Sequence, residues 1–259
     1  MRDERWIAHL IQIMDIPSLS ERQTQILKAV IEEHIQTGEP VGSETLDKKY
    51  NLGVSPATIR NEMVKLTEEG FLSQPFTSAG RTPTPMALKF YIRQLMEERD
   101  LSVADEVAVK EKIWDYRFEK DRLLHAATRA LAEKTRNIAV ATTNQGDVYH
   151  AGYANILDMQ EFFDIDVTKT VLSIIDDIEK MQAIFSRAFD EDPIHILVGD
   201  DLEMEFLQPC SLVFTRFKAG GKIEGNLGVV GPCRLNYPQI VPMVRYFGRL
   251  INEIAQNWA

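Results

Sequence analysis

Arg60 and Asn61 stand side by side in the run from Gly53 to Leu66. Arginine and asparagine grip base edges in bidentate fashion, guanine and adenine respectively, and each pair contributes roughly 1–3 kcal/mol of discrimination. With Thr58 they are the candidate base-reading residues. Ser43, Lys65, Thr77, Ser78 and Arg81 are candidates for phosphate contact, and Ser55 and Ala57 complete the set. The competing reading for any one of them is a solvated side chain or a contact inside the domain, such as Arg60 with Glu62 or Glu68.

Other chemistry is poorly represented. The acidic runs Asp176-Asp177, Asp190-Glu191-Asp192 and Asp200-Asp201 have no histidine or cysteine converging on them, so they read as solvated element ends. His34 has no partner at ligand spacing, and His195 is expected to face solvent or a hydrogen-bond partner rather than a substrate. Cys210 and Cys233 flank the Gly220-Gly221 turn almost symmetrically. They lack zinc-site spacing, and in a cytosolic protein they are expected to stay reduced. A phosphate-binding glycine loop, a nucleophile elbow and an H-E-x-x-H helix are all absent. The chain reads as a non-enzyme with no cofactor and no metal.

The base-reading candidates need a helix to carry them. Ser55 is a good N-cap, Pro56 suits the first helical position, and Gly70 is a natural stop. Ile59, Met63 and Leu66 form one buried stripe. Ala57, Thr58, Arg60, Asn61 and Lys65 are left on the other faces, with no carboxylate before Glu62. Upstream, Ser43 opens a helix with Leu46 and Tyr50 as its apolar side, and Asn51 to Val54 makes the turn, a helix-turn-helix pattern. Downstream, Phe71 to Phe76 predicts a strand and Thr77 to Pro83 a wing tip, where Arg81 would enter a minor groove or hold a phosphate.

Residues 20–36 predict a helix opened by a capping box between Ser20 and Gln23, with Leu19 as its staple. Ile26, Leu27, Val30, Ile31 and Ile35 are its buried face. Another helix begins at Pro85 and runs to about Arg99, so residues 20–99 read as a winged-helix domain. A long helical segment from about Asp105 to Thr135 fills residues 100–136. It suits a connector helix able to pair with a two-fold mate; periodicity supports equally a helix packed only on its own C-terminal domain.

From Asn137 the pattern turns to mixed α and β. Ile138 to Ala141, Val148 to His150, Ile194 to Gly199 and a hairpin of Ser211 to Phe217 with Ile223 to Val230 are the predicted strands. Residues 168–189 and Pro238 to Asn257 are the predicted helices, so residues 137–259 make an α+β domain.

The formal charge of −10 is unevenly placed: residues 1–95 hold 11 Lys and Arg against 12 Asp and Glu, and the remainder 18 against 27. The DNA-reading half is therefore neutral rather than basic. Binding must rest on the local cluster Arg60, Lys65 and Arg81, on base contacts and on dimerisation, with modest non-specific affinity. The apolar stretch Trp6 to Met14 is too short to span a bilayer. Its charged flank and the lack of a cleavage site favour an amphipathic N-terminal extension, residues 1–19, over a signal peptide. The cytoplasm is the expected compartment, with no membrane partner.

Four blocks carry a resemblance. Leu19 to Gln23, Thr37 to Ser43, Val54 to Met63 and Thr77 to Thr84 resemble, in order and spacing, the N-terminal domain of the HrcA family of bacterial heat-inducible transcription repressors. Gly152 to Leu157 with Glu161-Phe162, and Gly225 to Tyr237, are similar to the C-terminal blocks of that family. The resemblance implies a GAF-like fold for the C-terminal half, an inverted-repeat CIRCE-type operator bound by a homodimer, release on heating, and a GroEL-type chaperonin as partner. One departure is visible. Only about ten residues, Ile138 to Asp147, separate Asn137 from Val148, so the inserted dimerisation domain usual in the family, with part of the GAF-like core, looks deleted. The alternative function is a winged-helix regulator whose GAF-like domain answers to a small molecule; a third reading has the winged helix binding protein or RNA.

Overall fold

The computed structural model describes residues 19–188, 192–220 and 222–255. Trp6 to Met14, Asp190-Glu191 and Gly221 lie outside the described residues. The chain divides into two compact units, residues 1–87 and 88–259.

In the first unit, α1 (Glu21–Thr37) starts as its sequence dictates. Ser20 Oγ accepts from Gln23 N at 3.3 Å while Gln23 Oε1 accepts from Ser20 N at 2.9 Å, which satisfies two orphan amides at once. Ile26, Leu27, Val30 and Ile31 are buried; Ile35, expected beside them, is half-buried. Two further helices, α2 (Ser43–Lys49) and α3 (Pro56–Glu68), pack on each other, and α3 also packs on α1. The buried Glu33 carboxylate of α1 accepts from Lys49 Nζ at 2.5 Å and from Tyr50 Oη at 3.4 Å, which ties α1 to the end of α2.

The strand expected over Phe71 to Phe76 is much shorter: β1 (Leu72–Ser73) pairs antiparallel with β2 (Thr82–Pro83). Pro75 has no amide to extend the ladder, and Gln74 turns its side-chain amide onto Thr77 O and Ala79 O instead. The helix expected to reach Arg99 also ends early. It runs as α4 (Pro85–Phe90) into a π-helical turn at Tyr91–Leu95, after which Met96 is extended.

In the second unit the single connector helix is replaced by α5 (Val103–Trp114) and α6 (Lys120–Thr135). Tight turns at Tyr116 N to Ile113 O and Arg117 N to Trp114 O break the path between them. The apolar face of α6 then lies on a sheet of its own unit. That sheet is antiparallel throughout: β3 (Ile138–Thr143), β4 (Val148–Ala151), β5 (His195–Val198), β6 (Cys210–Ala219) and β7 (Ile223–Pro232) lie in the order β4-β3-β7-β6-β5. Alternate residues Ile138, Val140, Leu212 and Phe214 face a core closed by α7 (Ile165–Ile175) and α8 (Ile178–Phe185). The other face is covered by α6 and by α9 (Tyr237–Ile254), whose buried Tyr237 donates to Ser211 Oγ at 3.0 Å.

Residues 168–189 were expected to form one helix. Asp177 divides it, because its carboxylate accepts from Glu179 N at 3.0 Å and Lys180 N at 3.2 Å and so caps a new start. His195 does not face solvent. It is 3% exposed and sits opposite Phe214 across the β5–β6 pair, with ring centroids 4.8 Å apart. Cys210 and Cys233 are free thiols; burial pushes Cys233 up to about 12 and Cys210 well above its ordinary value, so neither ionises near neutrality. Among the described residues there is no metal-binding group of three His, Cys, Asp or Glu, and no helix long and apolar enough to cross a membrane.

Candidate nucleic-acid interface

The first turn of α3 is built by Ser55. Its Oγ accepts from Thr58 N at 3.3 Å and lies 3.1 Å from Thr58 Oγ1, while Pro56 fills the first helical position. Capping leaves the N-terminal amides ordered and the positive end of the helix dipole open. Burial of Ile59, Met63 and Leu66 fixes the helix rotation. Ala57, Arg60 and Asn61 are then exposed on one face, with Thr58 half-buried beside them. Among the described residues Arg60 and Asn61 have no hydrogen bond or ion pair, so their donors are available to a ligand.

Glu62 does not compete for Arg60. It is buried on the inner side, where it meets Lys65 at 3.2 Å and Arg22 at 3.9 Å. Lys65, expected to hold a phosphate, is thus already engaged by Glu62. Arg81 is not at the wing tip. The bridge between Val41 and Arg81 puts it at the base of the ribbon, where its Nε donates to Thr67 Oγ1 at 3.0 Å near the end of α3. A shorter ribbon moves the residue inward from the tip. Its chain neighbour Gly80 has no room for a side chain, since a Cβ would stand 2.4 Å from Val41 O.

Thr77 and Ser78 do lie at the exposed tip. The tip is tied down by Gln74 Nε2 to Thr77 O at 2.8 Å and to Ala79 O at 3.1 Å, and by Ala79 N to Phe76 O at 2.8 Å. Ser43 is half-buried at the first position of α2, which Gly42 rather than a side chain caps.

Two exposed apolar residues share these surfaces and were missed by a search for polar groups. Val64 lies on the Ala57–Arg60–Asn61 face of α3 at helical spacing, and Phe76, 62% exposed, heads the tied tip. The signal for Val64 was its i+3 and i+4 relation to Asn61 and Arg60, since apolar groups read the thymine methyl.

Comparison with known proteins gives one family. The model described as the HrcA protein C terminal domain matches residues 83–241. The heat-inducible transcription repressor HrcA of Symbiobacterium thermophilum is 26% identical over 336 aligned positions, covering 91% of this chain and 98% of that protein. The HrcA repressor of Carboxydothermus hydrogenoformans is 27% identical over 339 positions, covering 92% and 99%. Both alignments are longer than the 259-residue chain, so these relatives carry internal residues that it lacks. A hypothetical protein solved by crystallography at 2.2 Å has the same fold, with a TM-score of 0.77, 17% identity, and coverage of 92% of this chain and 99% of that one.

Proposed function

Because the chain belongs to the HrcA family, we propose that it is a homodimeric repressor of heat-shock chaperone genes that binds an inverted-repeat CIRCE-type operator and is released on heating. In this reading residues 20–99 are a winged helix-turn-helix domain and residues 137–259 a shortened GAF-like domain. The observation that carries the DNA-binding part is the outer face of α3: Ala57, Arg60, Asn61 and Val64 exposed together on a capped helix, with Glu62 turned inward to Lys65 and Arg22 and Glu68 exposed only at the far end of that face. Such a helix presents base-reading donors from its first two turns, as major-groove recognition requires. Thr58 reads a base edge beside Arg60 and Asn61; Ser43, Lys65, Thr77, Ser78 and Arg81 hold phosphates around α3 and the tip; Ser55 and Ala57 complete the surface, and Phe76 meets the adjacent minor groove.

The ligand-responsive alternative is less well supported. The cavity beneath α7 and α8 measures about 20 Å³ and is lined by apolar residues such as Val171, Ile174 and Leu212. A metabolite pocket is on the order of 300–1,000 Å³ with a few placed polar groups. Temperature is the simpler input: a shift of a few kcal/mol between competent and inactive forms changes operator occupancy from nearly full to nearly empty. A GroEL-type chaperonin that favours the competent form would set that balance, in the cytoplasm where both operator and chaperonin are found.

The test is a salt-titrated mobility shift on an inverted-repeat duplex and a scrambled control, before and after a heat step, with Arg60→Ala beside the wild type. Tight binding to the repeat alone, lost on heating and in the variant, is expected. Equal, weak and steeply salt-sensitive binding to both duplexes would overturn the reading, because only phosphate contacts behave that way.

A further inference from the structure

The relatives carry internal residues that this chain lacks, and an inverted repeat needs two copies of the DNA-reading unit. The second unit shows a surface suited to joining them. On α5, Val109 and Ile113 are fully buried against the unit. Val103, Val107, Lys110 and Trp114 line up on a different face at i, i+4, i+7 and i+11. Val103 is 76% exposed, Val107 and Trp114 are also exposed, and the turn after the helix adds Phe118 at 72%. Lys110 Nζ lies 5.2 Å from the Trp114 ring centre, and the Arg117 guanidinium lies 5.2 Å from that ring and 4.5 Å from the Phe118 ring.

We propose that this α5 face is the dimer surface of the protein, and that its occupant is the α5 face of a second copy, packed antiparallel about a two-fold axis. The inference rests on the dimeric reading above and gives it a location. The stripe is self-complementary: with Val103 set against Trp114 of the second copy, Val107 falls against the aliphatic stem of that copy's Lys110. The same register brings Glu106, on one edge of the stripe, within one residue, about 1.5 Å along the axis, of Lys110 of the other copy. Asp105 and Lys112 are already paired inside the unit, with Lys134 and Glu133. The match across the pair therefore rests on Glu106 with Lys110, whose own-unit contact to Glu253 is an exposed one at 3.5 Å, and on the two opposed helix dipoles. A membrane surface would ask for basic residues alone at the edges, whereas Glu106 and Glu111 border this stripe.

The full chain without DNA is the material for the test. Sedimentation equilibrium of the wild type is expected to show a reversible dimer. Val107→Glu should weaken it at least tenfold, and Phe163→Glu, at another exposed apolar position outside the stripe, should leave it unchanged. Cross-linking with a short bifunctional maleimide, read against the wild-type background, fixes the direction. In the antiparallel register the two copies of residue 110 are offset by roughly 5 Å along the axis and those of residue 103 by roughly 16 Å, at 1.5 Å per residue. Lys110→Cys should therefore link to itself, and Val103→Cys only to Trp114→Cys on another chain. A monomeric wild type, a dimer indifferent to Val107→Glu, or strong self-linking of Val103→Cys would overturn the proposal. Because no operator is present, a failure here is separate from a failure of sequence-specific DNA binding.

Discussion

A cationic side chain reads a base only if no neighbour in its own domain competes for it. Arg60 meets that condition, and Lys65, held by the buried Glu62, does not. Arg60→Ala is therefore expected to weaken binding by about 5- to 150-fold per half-site, the equivalent of roughly 1–3 kcal/mol for each of the two contacts a dimer loses. It should relax preference at a single base-pair position of each half-site. Lys65→Ala should cost less than a factor of about 5 and act alike on every sequence, because a phosphate contact carries no base information. Competition binding on a panel of single-substituted operators distinguishes the two. Residue types and helical spacing made Arg60, Asn61 and the cap at Ser55 legible in the sequence. Val64 and Phe76 were not, because an apolar residue in the sequence looks the same whether it fills a core or stands on a surface. The place of Arg81 was hidden for another reason: it depends on where the ribbon stops pairing, which a long-range bridge to Val41 decides.

At the scale of elements, hydrophobic periodicity located the helices well and their ends poorly. A stripe persists through a short break, so α5 and α6, or α7 and α8, read as single helices until a local hydrogen bond such as the Asp177 cap divides them. The Gly-x-x-Asn block that resembles the family turns out to be a joint in the fold. Asn155 Nδ2 donates to Ala132 O at 3.3 Å and Asn137 O at 3.0 Å, closing the end of α6. Gly152 stands at φ +89°, where a Cβ would meet Asn137 O at 2.4 Å. Asn155→Ala strips two carbonyls of their donor and should destabilise the second unit by roughly 1–3 kcal/mol, seen as a lower midpoint in urea with an unchanged slope. The ribbon has its counterpart at Gly80. Gly80→Ala forces a Cβ onto the Val41 backbone, so the ribbon must shift away from α3. Operator affinity should fall at least fivefold while the α3 face, and with it the base preference, stays as it was. A variant that binds as tightly as the wild type would show that the ribbon plays no part in binding.

For the whole molecule, the distribution of charge decides how binding answers to salt and spacing. The first 95 residues are close to neutral, with 11 basic against 12 acidic side chains, so few phosphates can be neutralised by each copy. With two or three per copy, a dimer would show a slope of log K against log salt of roughly −4 to −5 at about 0.9 per phosphate. A slope near −10 would mean a basic surface that the chain does not have. Weak phosphate contact also makes each single half-site insufficient, so affinity must come from engaging both at once. The two DNA-reading units of a two-fold dimer face one side of the duplex, which ties the half-sites to whole helical turns. Lengthening the spacer by about five base pairs carries one half-site to the far side and should reduce binding to that of an isolated half-site. Adding about ten returns it to the same side, at roughly 10–10.5 base pairs per turn, and should restore part of the affinity. Equal binding to all three spacers would show that the copies bind independently, and the operator would then be recognised by a monomer.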